Sequence, residues 1–341
     1  MKKTIDAASH IPDFWAELPR PFFVLAPMAN VTDSVFRKLI AKYGKPDVMW
    51  TEFVSADGLA SPEGRKRLLP DLAFGESERP IVAQLFTGHP EAMKQAAELV
   101  RKLGFDGLDI NMGCPDRAVM KQGGGASLIR NPDLAIKVIE AAREGAGPLP
   151  VSVKARIGFN KIDLEWIRTL LAVKLPALSV HLRTCKELSA VPAHWELIPD
   201  IVKLRDEASP QTLIIGNGDI ETPAQAAEFA RKFGCDGIMI GRGIFGKPWL
   251  FENLAKLRKK GENPVATAVY AAPLKTPRQK LDVLVEHAKL FERTFKGLKS
   301  FDVMKKHFKA YVSGWDGAKE LRAALMTARD AGEVKKIIER G

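Results

Sequence analysis

The pentapeptide Asn111-Met112-Gly113-Cys114-Pro115 contains the side chain best suited to chemistry in this sequence, the Cys114 thiol. It follows a short apolar run at 107–110 and precedes three consecutive glycines at 123–125. We therefore expect the thiol on a loop where a strand ends. The chain has only three cysteines, so a disulfide framework is not expected. The alternative interpretation is a small residue in a turn before proline, and the motif alone does not decide between the two.

Other polar side chains stand at the ends of short apolar runs that are far apart in the sequence. They are Gln84, Asn111, Lys154, His181, Asn217 and Asp219. Polar residues are ordinary where a strand meets a turn, but Gln84, Lys154 and His181 have mostly apolar neighbours. These side chains are candidates for one binding site, provided that the fold brings the ends of the runs together.

Two glycine-containing segments, Asn217-Gly218-Asp219 and Gly241-Arg242-Gly243, are suited to holding an anion. Glycine leaves backbone N–H groups accessible, and the loops after the last two strands of a barrel commonly bind phosphate. Arg242 would add a charge-assisted contact. Lys154 is suited to stabilising an electron-rich ring. The pattern therefore predicts a phosphorylated cofactor.

The segment 241–246 also fits the G-x-G-x-x-G pattern of dinucleotide-binding folds. That fold needs further parallel strands after the motif, whereas here the strand pattern ends and a helix-rich region begins. We therefore do not predict a dinucleotide fold. The six histidines have no H-E-x-x-H spacing and the cysteines no C-x-x-C spacing, so no metal site is predicted.

The elements that would position these residues are eight short runs rich in Val, Ile and Leu. The predicted strands are 22–27, 47–52, 81–86, 107–111, 151–156, 177–182, 212–216 and 237–240. Amphipathic segments lie between most of them, such as 90–103, whose apolar residues recur at helical spacing. Eight strand–helix units match a (β/α)8 TIM barrel, an α/β fold in which all strand ends converge on one face. A doubly wound open sheet is the alternative, because periodicity does not show closure.

With these motifs in this order, the chain resembles the tRNA-dihydrouridine synthases, flavoenzymes that reduce the C5–C6 double bond of uridine in tRNA. The resemblance runs from residue 25 to about residue 250 and is weaker beyond. It is carried by Ala26-Pro27-Met28, Gln84, Asn111 to Pro115, Lys154-Ala155-Arg156, His181-Leu182-Arg183-Thr184, Asn217-Gly218-Asp219 and Gly241-Arg242. Other FMN barrels share the phosphate loops, but the Asn-x-Gly-Cys-Pro loop is much closer to the synthases.

The resemblance implies an FMN cofactor reduced by NADPH or NADH. The residues implied to bind FMN are Pro27, Met28, Ala29, Gln84, Lys154, His181, Asn217, Gly218, Asp219, Gly241 and Arg242. Cys114 is implied to be the catalytic general acid, protonating C5 of uracil while reduced flavin delivers hydride to C6. An ordinary thiol pKa of about 8.5 suits that role. Asn111 and Arg183 are the implied substrate contacts, whereas Leu182 and Cys185 depart from the family pattern.

Positive charge is concentrated at the carboxyl end of the chain. Residues 251–341 contain 20 Lys and Arg against 11 Asp and Glu, which is most of the net charge of +11. A surface that meets a polyanion is expected to have this excess. Two apolar stripes, at 281–291 and 301–312, predict a small helical bundle. Lys299, Lys305, Lys306 and Lys309 lie off the second stripe and are candidates for contacts with RNA phosphates.

These features predict an FMN-binding TIM-barrel catalytic domain at 1–260, a connector at 261–276 and a basic helical tRNA-binding domain at 277–341. Residues 1–15 lack the apolar segment of a signal peptide, and no stretch of about 18 apolar residues occurs. We therefore expect a cytoplasmic protein without membrane contact, and a monomer, since no heptad pattern is present.

Two alternative functions remain open on the sequence. The first is an FMN TIM-barrel oxidoreductase that acts on a small metabolite such as a pyrimidine or an enone, which would not need the basic helical region. The second is an RNA-binding protein that holds FMN structurally without catalysis. The combination of Cys114, Asn111 and Lys154 favours an enzyme over the second alternative.

Overall fold

The computed structural model describes residues 14–261 and 273–340. Its centre is a sheet of eight parallel strands. They are β1 Phe22–Leu25, β2 Met49–Ser55, β3 Ile81–Phe86, β4 Gly107–Met112, β5 Val151–Arg156, β6 Ala177–His181, β7 Leu213–Asn217 and β8 Gly237–Ile240. The strands pair in the order β1-β8-β7-β6-β5-β4-β3-β2. Val48, just before β2, forms a parallel bridge with Val24 of β1, and its carbonyl accepts the Leu25 N–H at 3.1 Å. This contact closes the sheet into a ring, so the predicted (β/α)8 barrel is confirmed and the open sheet is excluded.

Three predicted strands, 81–86, 151–156 and 237–240, have the predicted bounds. The largest differences concern the first two strands. The first ends before Pro27, which has no N–H to donate to a ladder. The second continues to Ser55, because a register shift between Trp50 and Phe53 lets its pairing with β3 continue past an irregularity.

Helices surround the barrel and form the carboxyl-terminal region. Several begin with a proline in the first turn, and Asp33, Asn131, Asp163 and Thr222 accept N–H groups as N-caps. No helix in the described ranges is both long and apolar enough to cross a bilayer. The bounds are α1 Phe14–Glu17, α2 Ser34–Gly44, α3 Ala56–Ala60, α4 Pro62–Leu68, α5 Pro90–Lys102, α6 Arg117–Lys121, α7 Pro132–Ala146, α8 Leu164–Ala172, α9 Ile198–Ala208, α10 Pro223–Phe233, α11 Glu252–Lys259, α12 Pro277–Phe295, α13 Met304–Tyr311, α14 Ala318–Leu325 and α15 Ala331–Arg340.

The barrel interior is apolar at one end and polar at the other. Near the amino ends of the strands, Phe22 and Trp50 pack with Trp15 of α1, whose ring lies 6.1 Å and 5.8 Å from theirs. Toward the carboxyl ends the buried or partly buried strand residues become Gln84, Asp109, Asn111, Ser152, Lys154, Ser179, His181 and Asn217. Burying polar groups costs free energy unless they are hydrogen-bonded, so this concentration of polar side chains indicates a site for a ligand.

The helices α12 to α15 pack against the barrel through a shared apolar cluster. That cluster combines Val35 and Trp249 of the barrel with residues such as Phe291 and Phe308. Two side chains of α2, Lys42 and Tyr43, each lie 2.6 Å from the Glu286 carboxylate of α12. The predicted helical carboxyl-terminal region is confirmed. The division of the chain at 260 and 277 stays a prediction, and residues 262–272 of the connector lie outside the described residues, as do residues 1–13.

Candidate active site

A cavity of about 600 Å³ opens at the carboxyl ends of the strands. Barrel enzymes have their active sites on this face, and the volume is in the range of small-molecule and cofactor sites. Most residues predicted for the site line the cavity, namely Pro27, Met28, Gln84, Asn111, Cys114, Lys154, His181, Asn217, Gly218, Asp219, Gly241 and Arg242. Ala29, exposed and next in sequence to Met28, and Arg183 are the two predicted residues that are not part of the lining.

A hydrogen-bond network that starts at Asp109 orders the floor of the cavity. The buried carboxylate accepts the Ser152 hydroxyl at 2.6 Å and the Gln84 side-chain amide at 2.6 Å. Gln84 Oε1 then accepts from Asn111 Nδ2 at 3.0 Å, and Asn111 Oδ1 accepts the Cys114 N–H at 2.9 Å. Because a carboxylate can only accept, Asp109 determines which way each amide points. Sequence reasoning missed this residue, although it lies two positions before Asn111 on the same strand.

Contacts on both sides hold the Cys114 loop. The Ala126 N–H donates to the Cys114 carbonyl at 2.9 Å, and Gly125, at φ +58°, packs so closely that an added Cβ would lie 2.6 Å from that oxygen. The side chain is half-buried. Burial raises the pKa of the Cys114 thiol above its ordinary value, partly opposed by the positive charges of Arg156 and Lys154. The thiol is therefore protonated at neutral pH.

Cationic side chains surround His181 at one side of the cavity. Burial, together with the positive charges of Lys154, Arg156, Arg183 and Arg242, holds the pKa of His181 well below its usual range. The imidazole is therefore neutral. Its Nδ1 is buried and has no hydrogen-bond partner in the described part of the chain. A buried polar atom of this kind is expected to meet a ligand or a water.

Lys154 lies on β5 and lines the cavity. Its Nζ donates to Asn217 Oδ1 at 3.2 Å, and Asn217 Nδ2 donates to the Met239 carbonyl at 2.8 Å. The pKa of Lys154 is lowered to about 8, because burial and the positive charge of Arg156 outweigh the opposing effect of Asp109. The lysine is thus a cation at neutral pH that a bound anion would stabilise.

Arg156, two residues further along β5, is a cavity-lining residue that sequence reasoning did not assign to the site. Its Nε donates to the Gly113 carbonyl at 2.8 Å and its Nη1 to the Thr184 carbonyl at 3.0 Å. It therefore links the Cys114 loop to the loop after β6. The signal was available, since residues two apart on a strand point to the same side of a sheet.

The glycine-containing loops after β7 and β8 meet at Asp219. This carboxylate accepts from Arg183, from Arg242 Nη2 at 3.0 Å and from the Ala193 N–H at 2.9 Å. Burial alone would raise the pKa of Asp219, but the arginines and this N–H hold it below its usual value. A Cβ on Gly243 would lie 2.8 Å from the Ile220 carbonyl, so glycine is needed where the two loops touch.

Arg183 has a different setting from the one expected for a substrate contact. The residue is only 2% exposed. Its Nε donates to the Val191 carbonyl at 2.5 Å, and its Nη2 contacts Asp219. The side chain therefore orders the loop after β6 and the Asp219 carboxylate behind the cavity wall, and a direct contact between Arg183 and the substrate stays a prediction.

Solved structures with a related backbone include 2-naphthoyl-CoA reductase in complex with 2-naphthoyl-CoA, at a TM-score of 0.52 and 11% identity. Another is histamine dehydrogenase from Rhizobium sp. 4-9, at a TM-score of 0.50 and 14% identity. Each match covers 70% of this chain, and 50% and 45% of those chains respectively. This chain thus spans about half of each, and the likeness concerns the fold alone.

The comparison of sequences identifies the family, which the comparison of folds does not. The family model described as "Dihydrouridine synthase (Dus)" matches residues 24–340. The "Probable tRNA-dihydrouridine synthase" of Staphylococcus aureus (strain COL) is 42% identical over 330 residues, covering 96% of this chain and 95% of the relative. The "Probable tRNA-dihydrouridine synthase 2" of Bacillus subtilis (strain 168) is 44% identical over 329 residues, covering 96% of each. Because the family model spans every residue of the cavity and the relatives match nearly the whole sequence, the chain belongs to the dihydrouridine synthase family.

Proposed function

We propose that this protein reduces the C5–C6 double bond of uridine in tRNA to 5,6-dihydrouridine, with FMN as its cofactor and NADPH as the reductant. Family membership implies an enzyme with a flavin, and both relatives described above are named for this activity on tRNA. The observation that carries the proposal is that Cys114, Asn111 and Lys154 line the same cavity as the two glycine-containing loops.

The residues of the cavity suit a flavin mononucleotide. The loops at Gly218 and Gly241, with the cation Arg242 beside them, suit a phosphate. Lys154 suits an electron-rich ring, and Nδ1 of His181, which has no hydrogen-bond partner among residues 14–261 and 273–340, can bond a ligand. Bound FMN would supply the hydride for the reduction. The protein's part is to hold the ring, to orient the substrate and to provide a proton.

Cys114 would supply that proton to C5 of the uracil ring. Burial keeps the thiol protonated, because it raises the pKa of Cys114. The same surroundings help once the proton has left, since the positive charges of Arg156 and Lys154 stabilise the thiolate. A group that is protonated at working pH and whose conjugate base is stabilised is suited to general acid catalysis.

Asn111 would orient the uracil through one remaining hydrogen bond. Its Oδ1 already accepts the N–H groups of Gly113 at 3.1 Å and Cys114 at 2.9 Å, and its Nδ2 donates one hydrogen to Gln84. Only the second hydrogen of Nδ2 is left. Asn111 can therefore donate to a carbonyl oxygen but cannot accept from an amino group, which favours uracil over a base that presents an amino group at that position.

The test is the formation of dihydrouridine in an unmodified tRNA transcript, measured by mass spectrometry after incubation with FMN-loaded protein and NADPH. We expect product with the wild type and a decrease of about 100-fold or more with Cys114→Ala, since general acids contribute rates of that order. Cys185→Ala is the matched control, because Cys185 is a buried thiol outside the cavity lining. A parallel assay with NADH identifies the reductant. FMN-loaded protein that forms no dihydrouridine in any transcript would overturn the proposal.

A further inference from the structure

The turn after α12 directs Lys299 toward the barrel instead of into solvent. Its side chain is 16% exposed, and its Nζ lies 3.0 Å from Glu52 Oε2 and 2.7 Å from Asp71 Oδ1. The ammonium also lies 4.8 Å from the centre of the Phe295 ring. This setting does not support the contact with RNA phosphate predicted for Lys299, because two carboxylates of the barrel already pair with its charge.

Glu52 connects Lys299 to the turn that follows β1. The side chain is 7% exposed and lies on β2. While Oε2 binds Lys299, Oε1 accepts the backbone N–H of Asn30. Asn30 has φ +54°, in the left-handed region that asparagine adopts more readily than most residues other than glycine. The carboxylate therefore binds this turn with one oxygen and the helical region with the other.

That turn forms one wall of the cavity. The Met28 carbonyl accepts the N–H groups of Val31 at 3.1 Å and Thr32 at 3.0 Å, and the Met28 N–H donates to Thr32 Oγ1 at 2.9 Å. Pro27 and Met28 line the cavity. A Cβ built on Gly241 would lie 3.8 Å from Met28 Sδ, so the wall lies beside the loop after β8. Every step from the Lys299 ammonium to the cavity is thus a direct contact.

The charge of Lys299 acts on three buried or half-buried carboxylates. Glu52 and Asp71 pair with the ammonium directly. The pKa of Asp33 is raised to about 6, because burial and the charge of Glu52 outweigh the opposing effects that include the charge of Lys299. The nearby Arg37 is already paired with another buried carboxylate, at 2.7 Å. Removing one partner of a buried ion pair leaves the other uncompensated, so without Lys299 the buried Glu52 carboxylate would lose the cation that holds it against the Asn30 N–H.

We propose that Lys299 is a positioning residue for the flavin: from the helical region it holds Glu52, Glu52 holds the Asn30 amide, and the turn from Pro27 to Asn30 is thereby fixed as a wall of the cofactor cavity. The carboxyl-terminal helices are then part of the cofactor site and do not serve RNA binding alone. This inference rests on the proposed function, since it requires FMN in the cavity.

The test uses the full-length protein freed of cofactor, titrated with FMN and followed by flavin fluorescence. Lys299→Met keeps an unbranched apolar stem and removes the charge. We expect the Kd for FMN to rise about tenfold, because one partner of a buried pair is lost. Lys299→Arg restores the charge and is expected to bring the Kd back to within about threefold of the wild type. Lys299→Gln, polar and uncharged, replaces the methionine variant should that one not fold.

Glu286→Gln is the matched control, because Glu286 also joins the helical region to the barrel, through Lys42 and Tyr43, without touching the turn at Asn30. We expect it to lower the melting temperature and to leave the Kd for FMN unchanged. The inference is overturned by a folded Lys299→Met protein that binds FMN as the wild type does, or by equal losses of affinity in the Lys299 and Glu286 variants. A wild-type protein that does not bind FMN would overturn the proposed function, and this inference with it.

Discussion

Two buried charges, Lys154 and Asp109, control the chemistry of the site at the scale of single residues. They lie on neighbouring strands, and each affects the pKa of the other. Burial alone would neutralise both groups, since it lowers the pKa of a lysine and raises that of a carboxyl group. Their mutual attraction and the hydrogen bonds of Asp109 keep both mostly ionised at neutral pH. Each therefore titrates in a range where its role can be measured.

The affinity for FMN should depend on the protonation of Lys154. Because burial lowers the pKa of Lys154 to about 8, the cofactor-free protein loses this cation as the pH rises through that value. We expect the Kd for FMN to increase between pH 7 and 9. Lys154→Met should bind FMN about tenfold more weakly at pH 7, with a nearly flat profile above it. A pH dependence that is the same in the variant would assign the titration to another group.

Asp109 should give a pH-dependent contribution to stability. Burial raises its pKa from 3.8 to about 6, partly opposed by hydrogen bonds from Gln84 and Ser152. A carboxyl group whose pKa is raised on folding stabilises the fold fully below its unfolded pKa, and this contribution is lost as the pH rises through the folded pKa. Asp109→Asn does not titrate. We therefore expect its urea midpoint, relative to the wild type, to improve from pH 4 to pH 7, whereas a constant difference would contradict the argument. The pKa of Asp33 is also raised to about 6. Because Asp33 is present in both proteins, its contribution cancels in the difference between their urea midpoints.

At the scale of elements, the glycines at 123–125 allow the loop after β4 to pack closely against its neighbours. Gly125 has φ +58° and leaves no room for a Cβ beside the Cys114 carbonyl. Gly124 would bring a Cβ to 3.1 Å from the Thr87 N–H nitrogen. The loop after β4 therefore lies directly against the loop after β3. This contact, with the hydrogen bond from Asn111, sets the position of the thiol.

Gly125→Ala should separate thiol placement from cofactor binding. An added methyl group must push against the Cys114 carbonyl, so we expect a decrease in kcat of about tenfold or more, since small misplacements of catalytic groups have effects of that order. FMN affinity should change little, because Gly125 does not line the cavity.

Gly234→Ala provides the control for backbone strain. Gly234 also has a positive φ, +79°, but nothing lies within 4 Å of an added Cβ. Both variants lose about 1 kcal/mol of stability to the left-handed conformation, and only the Gly125 variant should lose turnover. Equal turnover in the two would show that the packing at Cys114 is unimportant.

At the scale of the whole molecule, some positively charged side chains form ion pairs within the protein and others are exposed to solvent. Lys299 and Lys42 form ion pairs between the barrel and the carboxyl-terminal helices, whereas Arg258 of α11 pairs with Asp47 within the barrel region. Lys306 and Lys309 of α13 are exposed and are available to a polyanion. The remaining excess of positive charge at the carboxyl end therefore supports an RNA-binding surface, although fewer lysines contribute to it than the sequence suggests.

Binding of tRNA should weaken steeply as salt increases, because each phosphate contact releases counterions. Replacing both Lys306 and Lys309 with alanine should reduce the slope of log K against log salt by about one to two. Lys94→Ala is the control, since this lysine lies on α5 outside the barrel and is engaged by Glu144. The measurement is a series of binding titrations between low and moderate salt. An unchanged slope in the double variant would exclude α13 from the RNA surface.

The sequence by itself determined the barrel, the order of its elements and most of the cavity lining. Strand and helix periodicities are local, and the polar residues at the strand ends, from Gln84 to Arg242, had to converge once the sheet closed. The motif at Cys114 then indicated the chemistry. These features could be predicted because each depends on residues close together in the chain or on a rule that applies to every parallel barrel.

Only the tertiary structure decided which side chains meet. The contact between Glu52 and Lys299 joins residues 247 positions apart, and it depends on how the helical region docks, which no local pattern encodes. The same is true of Arg183, which sequence similarity associated with the substrate and which the fold buries against Asp219. The anchoring role of Asp109 required the register of β3, β4 and β5, because only their alignment brings Gln84 and Ser152 to its two oxygens. Long-range packing thus assigned a cofactor-positioning role to a lysine whose sequence context predicted a contact with RNA.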